Sequence, residues 1–413
     1  MKPSVSIVIP TRNAGPGFCE LLERVRSQKG CYEPEIVVID SESSDGTPEI
    51  ARQYGAHVIE IPAESFNHGL TRNLGIQKAQ GEICVLLVQD ALPINDDWLQ
   101  ALVRPFGQDP SICGVTTVQL PRPECDLVCR WEIQHHNSFL GRKSAIRSIP
   151  NWDRFTCLSI QERFFACNFD NVCSAIRRSA WEQYPFRALT FAEDLDWGVR
   201  VLRAGKKIAY EPAAVVLHSH LRPAIYHLRR QYISAKVVPE ILDVPIPAIF
   251  SSSDEEFFAA ASHLIHEAFS FLLRVDQFEG SIYPWLWRRW VKSVERKPFR
   301  QNAINHRRLK PGHMHGSCDW IHSFLTLRPP SMFGISSPKV IPANPMRAHF
   351  FFLLSEAPQI ARALDAPALR HLLVHCLART LGHYLGSHYL WSARCGEVSA
   401  DLRALDRLLC AGV

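Results

Sequence analysis

No apolar run in this 413-residue chain approaches the roughly 20 residues needed to cross a bilayer. The start, Met1-Lys2-Pro3 followed by a strand-like run, lacks the basic opening and greasy core of a secretory signal. The expectation is therefore a cytoplasmic protein. None of the 13 cysteines forms a C-x-x-C pair, and Cys125 and Cys129 have no second ligand pair nearby. They read as reduced, small core residues and not as a zinc framework. No repeat or low-complexity tract is evident. Charge of one sign is also scarce. The net is +5, residues 1–240 hold 27 basic and 27 acidic side chains, and residues 241–413 hold 19 and 14. An excess so small and so localised argues against a nucleic-acid binder and for one basic surface. With 46% hydrophobic and 21% charged residues, wholesale disorder is excluded, and the length suits about two or three domains.

Short apolar runs alternate with amphipathic segments over the first 240 residues. Val5–Pro10, Glu35–Asp40, His57–Glu60 and Ile83–Gln89 read as strands. Phe18–Gln28, Thr47–Tyr54 and Asn67–Lys78 read as helices, the first from its apolar period at Phe18, Leu21, Leu22 and Val25. This order predicts an α/β, Rossmann-like, mostly parallel sheet with helices on both faces. Residues 120–170 read as irregular, aromatic-rich loops over the site. Structure resumes with Asn171–Arg177, a helix over Glu193–Arg203, separate strands Lys207–Glu211 and Ala214–Leu217, and a helix over Arg222–Lys236. Clustered prolines at 239, 245 and 247 suggest a boundary between a catalytic domain, 1–240, and a mostly α-helical C-terminal region, 241–413. Helices are expected there over Asp254–Val275, Ile282–Lys297, Ala348–Leu364, Pro367–Leu385 and Val398–Leu409.

Ligands on such sheets bind beyond the carboxyl ends of the strands. The residues found there are Pro10, Thr11, Arg12 and Asn13 after the first strand, Asp40 through Thr47 after the second, and Gln89-Asp90-Ala91 after the fourth. A carboxylate ending an apolar strand needs polar company, so Asp40 is expected to touch a ligand, whereas Asp45 reads as a helix cap. No glycine-rich phosphate loop follows the first strand, which counts against a nucleotidyltransferase.

The strings SIVIPTRN, VVIDSESSDGT and VQDALP, in order and spacing over residues 1–235, resemble an inverting family 2 glycosyltransferase of the GT-A fold. FNHGLTRN (66–73), FDNVCSAIRRSAWE (169–182) and FAEDLDWGVRVLRAGKKIAYEPAAVVLHSH (191–220) resemble its bacterial O-antigen-type rhamnosyltransferase branch. The resemblance implies a single displacement at an anomeric carbon, with Mg²⁺ or Mn²⁺ at the diphosphate. It places the metal at Asp90 with His218 or His220. Many relatives use D-x-D there, and this chain has Gln89-Asp90-Ala91, one carboxylate short. Asp194, in the E-D pair with Glu193, is the implied base. Adjacent helical residues do not face the same way, so only one of the two can meet the substrate. Acids at a helix start also favour the dipole without any catalytic role. Pro10, Thr11, Arg12, Asp40, Ser41, His68, Gly69, Arg72, Asn73 and Gln89 are the implied nucleotide-sugar binders, with Arg72 forking onto phosphate and Gly69 admitting a close ligand. Arg229, Arg230 and Gln231 fit either a nucleotide or a solvated helix face.

The acceptor side rests on Trp131, His135, His136, Trp152 and Phe155, which fit a sugar groove and an ordinary core equally well. Residues 281–310 carry nine Lys or Arg against one acid, interleaved with Trp285, Trp287 and Trp290. Such a stretch suits an anionic membrane surface or, alternatively, a helix with its tryptophans turned inward. The histidines at 313, 315 and 322 lack matched ligand spacing for a metal. The preferred expectation is transfer of L-rhamnose from dTDP-L-rhamnose to a lipid-linked or polysaccharide acceptor, on the cytoplasmic face of the inner membrane. The rivals are another UDP- or dTDP-hexose donor and a catalytically silent glycan- or nucleotide-binding subunit.

Overall fold

The computed structural model of the protein describes residues 3–30, 33–245, 253–296 and 344–410. The basic residues at 297, 300, 307, 308 and 310 and the histidines at 313, 315 and 322 lie outside them, as does Pro247. The chain divides into two compact units. One comprises Met1–Cys125, Ile133–His220 and Glu240–Val244, and the other Asp126–Glu132, Leu221–Pro239 and Pro245–Val413, each taken over its described residues.

The first unit is built on one sheet of nine strands: β1 (Val5–Thr11), β2 (Glu35–Asp40), β3 (His57–Glu60), β4 (Ile83–Leu87), β5 (Leu92–Pro93), β6 (Ile112–Leu120), β7 (Ala145–Arg147), β8 (Cys173–Arg177) and β9 (Lys207–Leu217). Their order is β3-β2-β1-β4-β8-β6-β9-β5, with β7 beside β9. The β3-β2-β1-β4 block and the β6–β9 pair are parallel, while β8 runs antiparallel between β4 and β6. The β1, β2 and β4 strands are near-continuous apolar runs because helices cover both faces. The Gly17–Arg26 helix buries Phe18, Leu21, Leu22 and Val25, the period read from sequence.

Reversal of β8 matters for the site. Parallel strands deliver their carboxyl ends to one edge of the sheet. The antiparallel β8 brings its amino end there, so Asp170 and Asn171 stand beside the residues that follow β4 and β6, with Cys173 paired to Leu87.

The structure departs from the sequence expectation at two places in this part of the chain. The stretch 120–170 is not irregular: it holds helices Leu127–Leu140, Trp152–Phe155 and Ile160–Cys167 and strand β7. A capping box between Ser159 and Glu162 starts the third of these helices, a local signal present in the sequence. Second, Lys207–Leu217 is one strand and not two. Pro212 has no N–H to donate, and the β6–β9 register shifts between Thr117 and Val118 to absorb it as an irregularity. Of the aromatics of this stretch in the sheet unit, His135 is exposed and the others pack on neighbours. Phe155 is buried, His136 lies against Phe165, and Arg203 stacks on Trp152 at 4.6 Å.

The second unit is helical: Ala224–Ile241 for most of its length, Asp254–Asp276, Pro284–Glu295, Pro345–Glu356, Ala366–Arg394 and Ala400–Cys410, with a two-residue antiparallel pairing of Ser281–Ile282 and Leu364–Asp365. The helix expected over 348–364 stops at Glu356, ahead of Pro358, whose ring cannot continue it. The helix expected to end at Leu385 runs on to Arg394. Gly382 and Gly386 do not break it but let another backbone approach. A Cβ at either would sit 2.2 Å from a carbonyl oxygen, that of Leu228 or of Tyr232. Of the three interleaved tryptophans, Trp287 is buried and donates to Leu354 O at 2.7 Å, Trp290 packs on Phe271, and Trp285 is 59% exposed. Among the described residues no helix is long and apolar enough to cross a membrane.

Candidate active site

Asp90, immediately after the β4 end, is half-exposed, and two imidazoles converge on it. His218 Nε2 lies 3.7 Å from Oδ1 and His220 Nδ1 3.4 Å from Oδ2, and the two rings stand edge to face at 4.8 Å. Both histidines belong to the group. Arg122 ties the two segments together: it donates Nη2 to Asp90 O at 2.8 Å and its backbone N–H to Ser219 Oγ at 3.0 Å.

The orientation of His218 is fixed from behind. Its Nδ1 lies 2.9 Å from Gln119 Oε1, and Gln119 donates Nε2 to Asp170. A carboxylate can only accept, so the amide nitrogen faces Asp170 and the amide oxygen faces His218. That assigns the proton to Nδ1 and leaves Nε2 turned to Asp90, the tautomer a metal ligand requires. Asp90, His218 and His220 present one oxygen and two nitrogen donors within 4.8 Å of one another. This set fits a divalent cation, and the imidazoles favour Mn²⁺ over the all-oxygen preference of Mg²⁺.

Asp170 also connects to Asp194. Asn171 donates its N–H to Asp194 Oδ2 at 3.2 Å and Leu195 donates to Oδ1 at 2.7 Å. Burial, then the negative charges of Glu193 and Asp170, push the Asp194 carboxyl up to about 8 against the pull of those two donors. Ala192, just before this pair, has φ 58°, the left-handed region that side chains other than glycine rarely adopt. Asn13 and Glu42, after β1 and β2, share that property with φ 47° and 57°. Backbone strain thus gathers at the sheet edge where the site lies.

Four residues expected to bind the nucleotide sugar are instead committed to the protein. The Arg72 guanidinium is buried, pairs with Glu193 Oε1 at 3.2 Å and donates to Asn171 O at 3.3 Å. Glu193 is itself buried and also accepts from Asn171 Nδ2. Asn73 donates to Phe186 O and accepts from Trp181 Nε1 and Phe186 N. The close neighbour of Gly69 is not a ligand: a Cβ there would meet Arg187 O at 2.4 Å. Asn67 caps the His68–Lys78 helix and reaches Leu189 O. The FNHGLTRN string is therefore a bracket that holds the 186–193 loop in front of Asp194. His68 stacks edge to face on Phe66.

The fourth is Asp40. It is buried, and its oxygens accept from Thr11 Oγ1 at 2.7 Å and from Ser43 N and Oγ at 2.8 and 2.6 Å. It builds the loop that follows the strand. Asp45 holds the same loop, accepting from Gly15 N and from Thr47 N and Oγ1, and its carboxyl is lowered by those bonds. Ser41 Oγ is buried without a hydrogen-bond partner. Gln89 exchanges two hydrogen bonds with the Arg12 backbone, at 2.7 and 3.2 Å, so the β1 and β4 ends move as one. The Arg12 side chain is exposed, and Pro10 is half-buried.

Gln119, Arg122, Asp170 and Asn171 were missed as site residues. Gln119 closes an apolar strand and so obeys the same strand-end rule as Asp90. Asp170 and Asn171 precede a strand, and only its reversal makes them neighbours of the rest.

The profile of glycosyl transferase family 2 matches residues 6–160. An O-antigen chain rhamnosyltransferase of Salmonella typhimurium is 32% identical over 221 residues, 52% of this chain and 66% of that protein, so the match spans slightly under two thirds of that relative. The glycosyltransferase AglE of Haloferax volcanii is 37% identical over 241 residues, 56% of this chain and 71% of that one. Among solved structures, the mannosyltransferase PcManGT of Pyrobaculum calidifontis, determined with GDP-Man and Mn²⁺, aligns with a TM-score of 0.43 at 21% identity, over 57% of this chain and 63% of that one.

Proposed function

This chain belongs to glycosyltransferase family 2, and on that premise we propose that it moves a sugar from a nucleotide donor to an acceptor hydroxyl by single displacement, with inversion. One observation carries the reading: Asp90 with its two histidines and the proton-hungry Asp194 are joined through Asp170 at one edge of the sheet. Asp90, His218 and His220 would hold a divalent cation, which when bound would supply positive charge at the diphosphate. The chain's own groups do the rest. Asp194 accepts the proton of the acceptor hydroxyl. The Asn171 and Leu195 N–H groups steady its carboxylate. The Arg72–Glu193 pair fixes the helix from which it projects.

The donor we propose is dTDP-L-rhamnose, supported by the similarity to an O-antigen chain rhamnosyltransferase and by the FNHGLTRN and QDALP strings. The acceptor we propose is a lipid-linked glycan. Support for that comes from the exposed face of the Pro284–Glu295 helix and the turn before it, where Tyr283, Trp285, Arg289 and Lys292 meet solvent. Aromatic and cationic groups side by side suit the headgroup layer of an anionic membrane at the cytoplasmic face.

The test is a panel of sugar nucleotides with Mn²⁺, with Mg²⁺ and with chelator, read by mass spectrometry of a lipid-linked acceptor. Cation-dependent transfer from dTDP-L-rhamnose is expected. Transfer from a different hexose donor alone would replace the donor assignment, and no transfer or hydrolysis with any donor would mark a silent binding subunit. Flotation with anionic liposomes at low salt tests the membrane face, and absence of binding rejects it.

A further inference from the structure

A second group of metal-ligand type lies in the helical unit, and the transfer chemistry does not use it. His371 and His375 are one helical turn apart on the Ala366–Arg394 helix, so their side chains share a face. Their rings stack at 3.9 Å. Asp126 completes the group, with one atom from each residue lying within 4.8 Å of the others.

Asp126 Oδ2, His371 Nε2 and His375 Nδ1 are all buried without a hydrogen-bond partner. Asp126 Oδ1 is occupied, accepting from Val128 N and Cys129 N at 2.9 and 3.0 Å and so capping the Leu127–Leu140 helix. Buried polar atoms without a partner are costly unless something binds them. The site already has the needed dimension. Four-coordinate zinc with ligands at about 2.1 Å sets neighbouring ligands about 3.4 Å apart, and His371 Nε2 lies 3.6 Å from Asp126 Oδ1. Arg379, farther along the same helix, is paired with Glu132.

We propose that Asp126, His371 and His375 bind a borderline divalent transition ion of the Zn²⁺ class, which fastens residues 126–132 to the Ala366–Arg394 helix. His227, with its ring 5.0 Å from that of His375 and a buried, unpartnered Nε2, is the candidate fourth ligand. Two nitrogen donors and one oxygen suit zinc and disfavour Mg²⁺. The site is structural, since nothing in the proposed transfer passes through it.

The experiment must separate this ion from one at Asp90. The parent is therefore the full chain carrying Asp90→Ala and His220→Ala. It is stripped with chelator, loaded with ZnCl₂ in excess Mg²⁺, desalted, and its zinc counted by plasma mass spectrometry. About one zinc per chain is expected in the parent, and almost none after adding His371→Ala or His375→Gln. His371 is half-buried, so its replacement leaves a folded chain, checked by circular dichroism. Cobalt in place of zinc gives the visible bands of a four-coordinate ion in the parent and loses them in the same variants. A parent that retains no zinc, or a folded His371→Ala chain that retains its full zinc, overturns the proposal.

Discussion

His218 gives its Nδ1 proton to Gln119 at 2.9 Å, and Gln119 hands an amide hydrogen on to Asp170. The imidazole that faces Asp90 is thus oriented by a residue that touches no ligand. Gln119→Leu keeps the shape and removes the bond. Affinity for Mn²⁺ should fall about 10–100-fold with the fold intact, the usual effect of losing such a partner. Calorimetric titration of the purified chain measures it; an unchanged dissociation constant would mean that His218 is oriented by something else.

Asp194→Asn removes the base while retaining the size of the side chain. Transfer should slow by about 10²–10⁴, with donor binding largely preserved. Single-turnover rates at saturating donor decide this, and a variant with full activity would strip Asp194 of the role.

The raised carboxyl makes a pH prediction of definite sign. A base works only when ionised, and an acid pushed up to about 8 is mostly protonated at pH 7. Activity limited by that proton should climb about tenfold per pH unit below pH 8 and level off above it. The rate profile between pH 5.5 and 9 tests this. A flat profile above pH 5 would show that Asp194 ionises as an ordinary carboxylate.

Arg72 separates two roles with different readouts. As a phosphate ligand its loss would raise the donor KM. As the partner of buried Glu193 its loss strands a charge in the interior, at a cost of about 3–5 kcal/mol. Arg72→Met should therefore lower the urea midpoint sharply, and the Arg72→Met/Glu193→Gln pair should recover part of the deficit. A stable single variant with a weakened donor KM would restore the phosphate role.

Gly386→Ala tests the close approach in the helical unit. Its Cβ would meet Tyr232 O at 2.2 Å, and overpacking of this kind costs about 1–3 kcal/mol. Thermal unfolding should move downward. If it does not move, the two segments have room to separate.

The sheet was legible because burial on both faces writes itself as apolar runs, and because ligand-bearing residues follow such runs. Asp90 was singled out by that rule, while His218 and His220 entered only through the family resemblance, as alternatives. Arg72, Asn73 and Gly69 were misjudged because the same chemistry serves either end: a guanidinium forks onto phosphate or glutamate, and a glycine admits a ligand or a carbonyl. Asp170 was out of reach for a topological reason. Its place follows from the direction of β8, and a five-residue apolar strand reads the same in both directions.

The bracket formed by the FNHGLTRN segment has a consequence for how the protein is made. Its bonds to the loop before Asp194 span 113 to 122 positions of the chain. A nascent polypeptide therefore carries Asp90 out of the ribosome long before Asp194 can be seated, and long-range closures of this kind are slow. Asp90 and Asp194 therefore share one edge of the sheet only in a chain made past its second half.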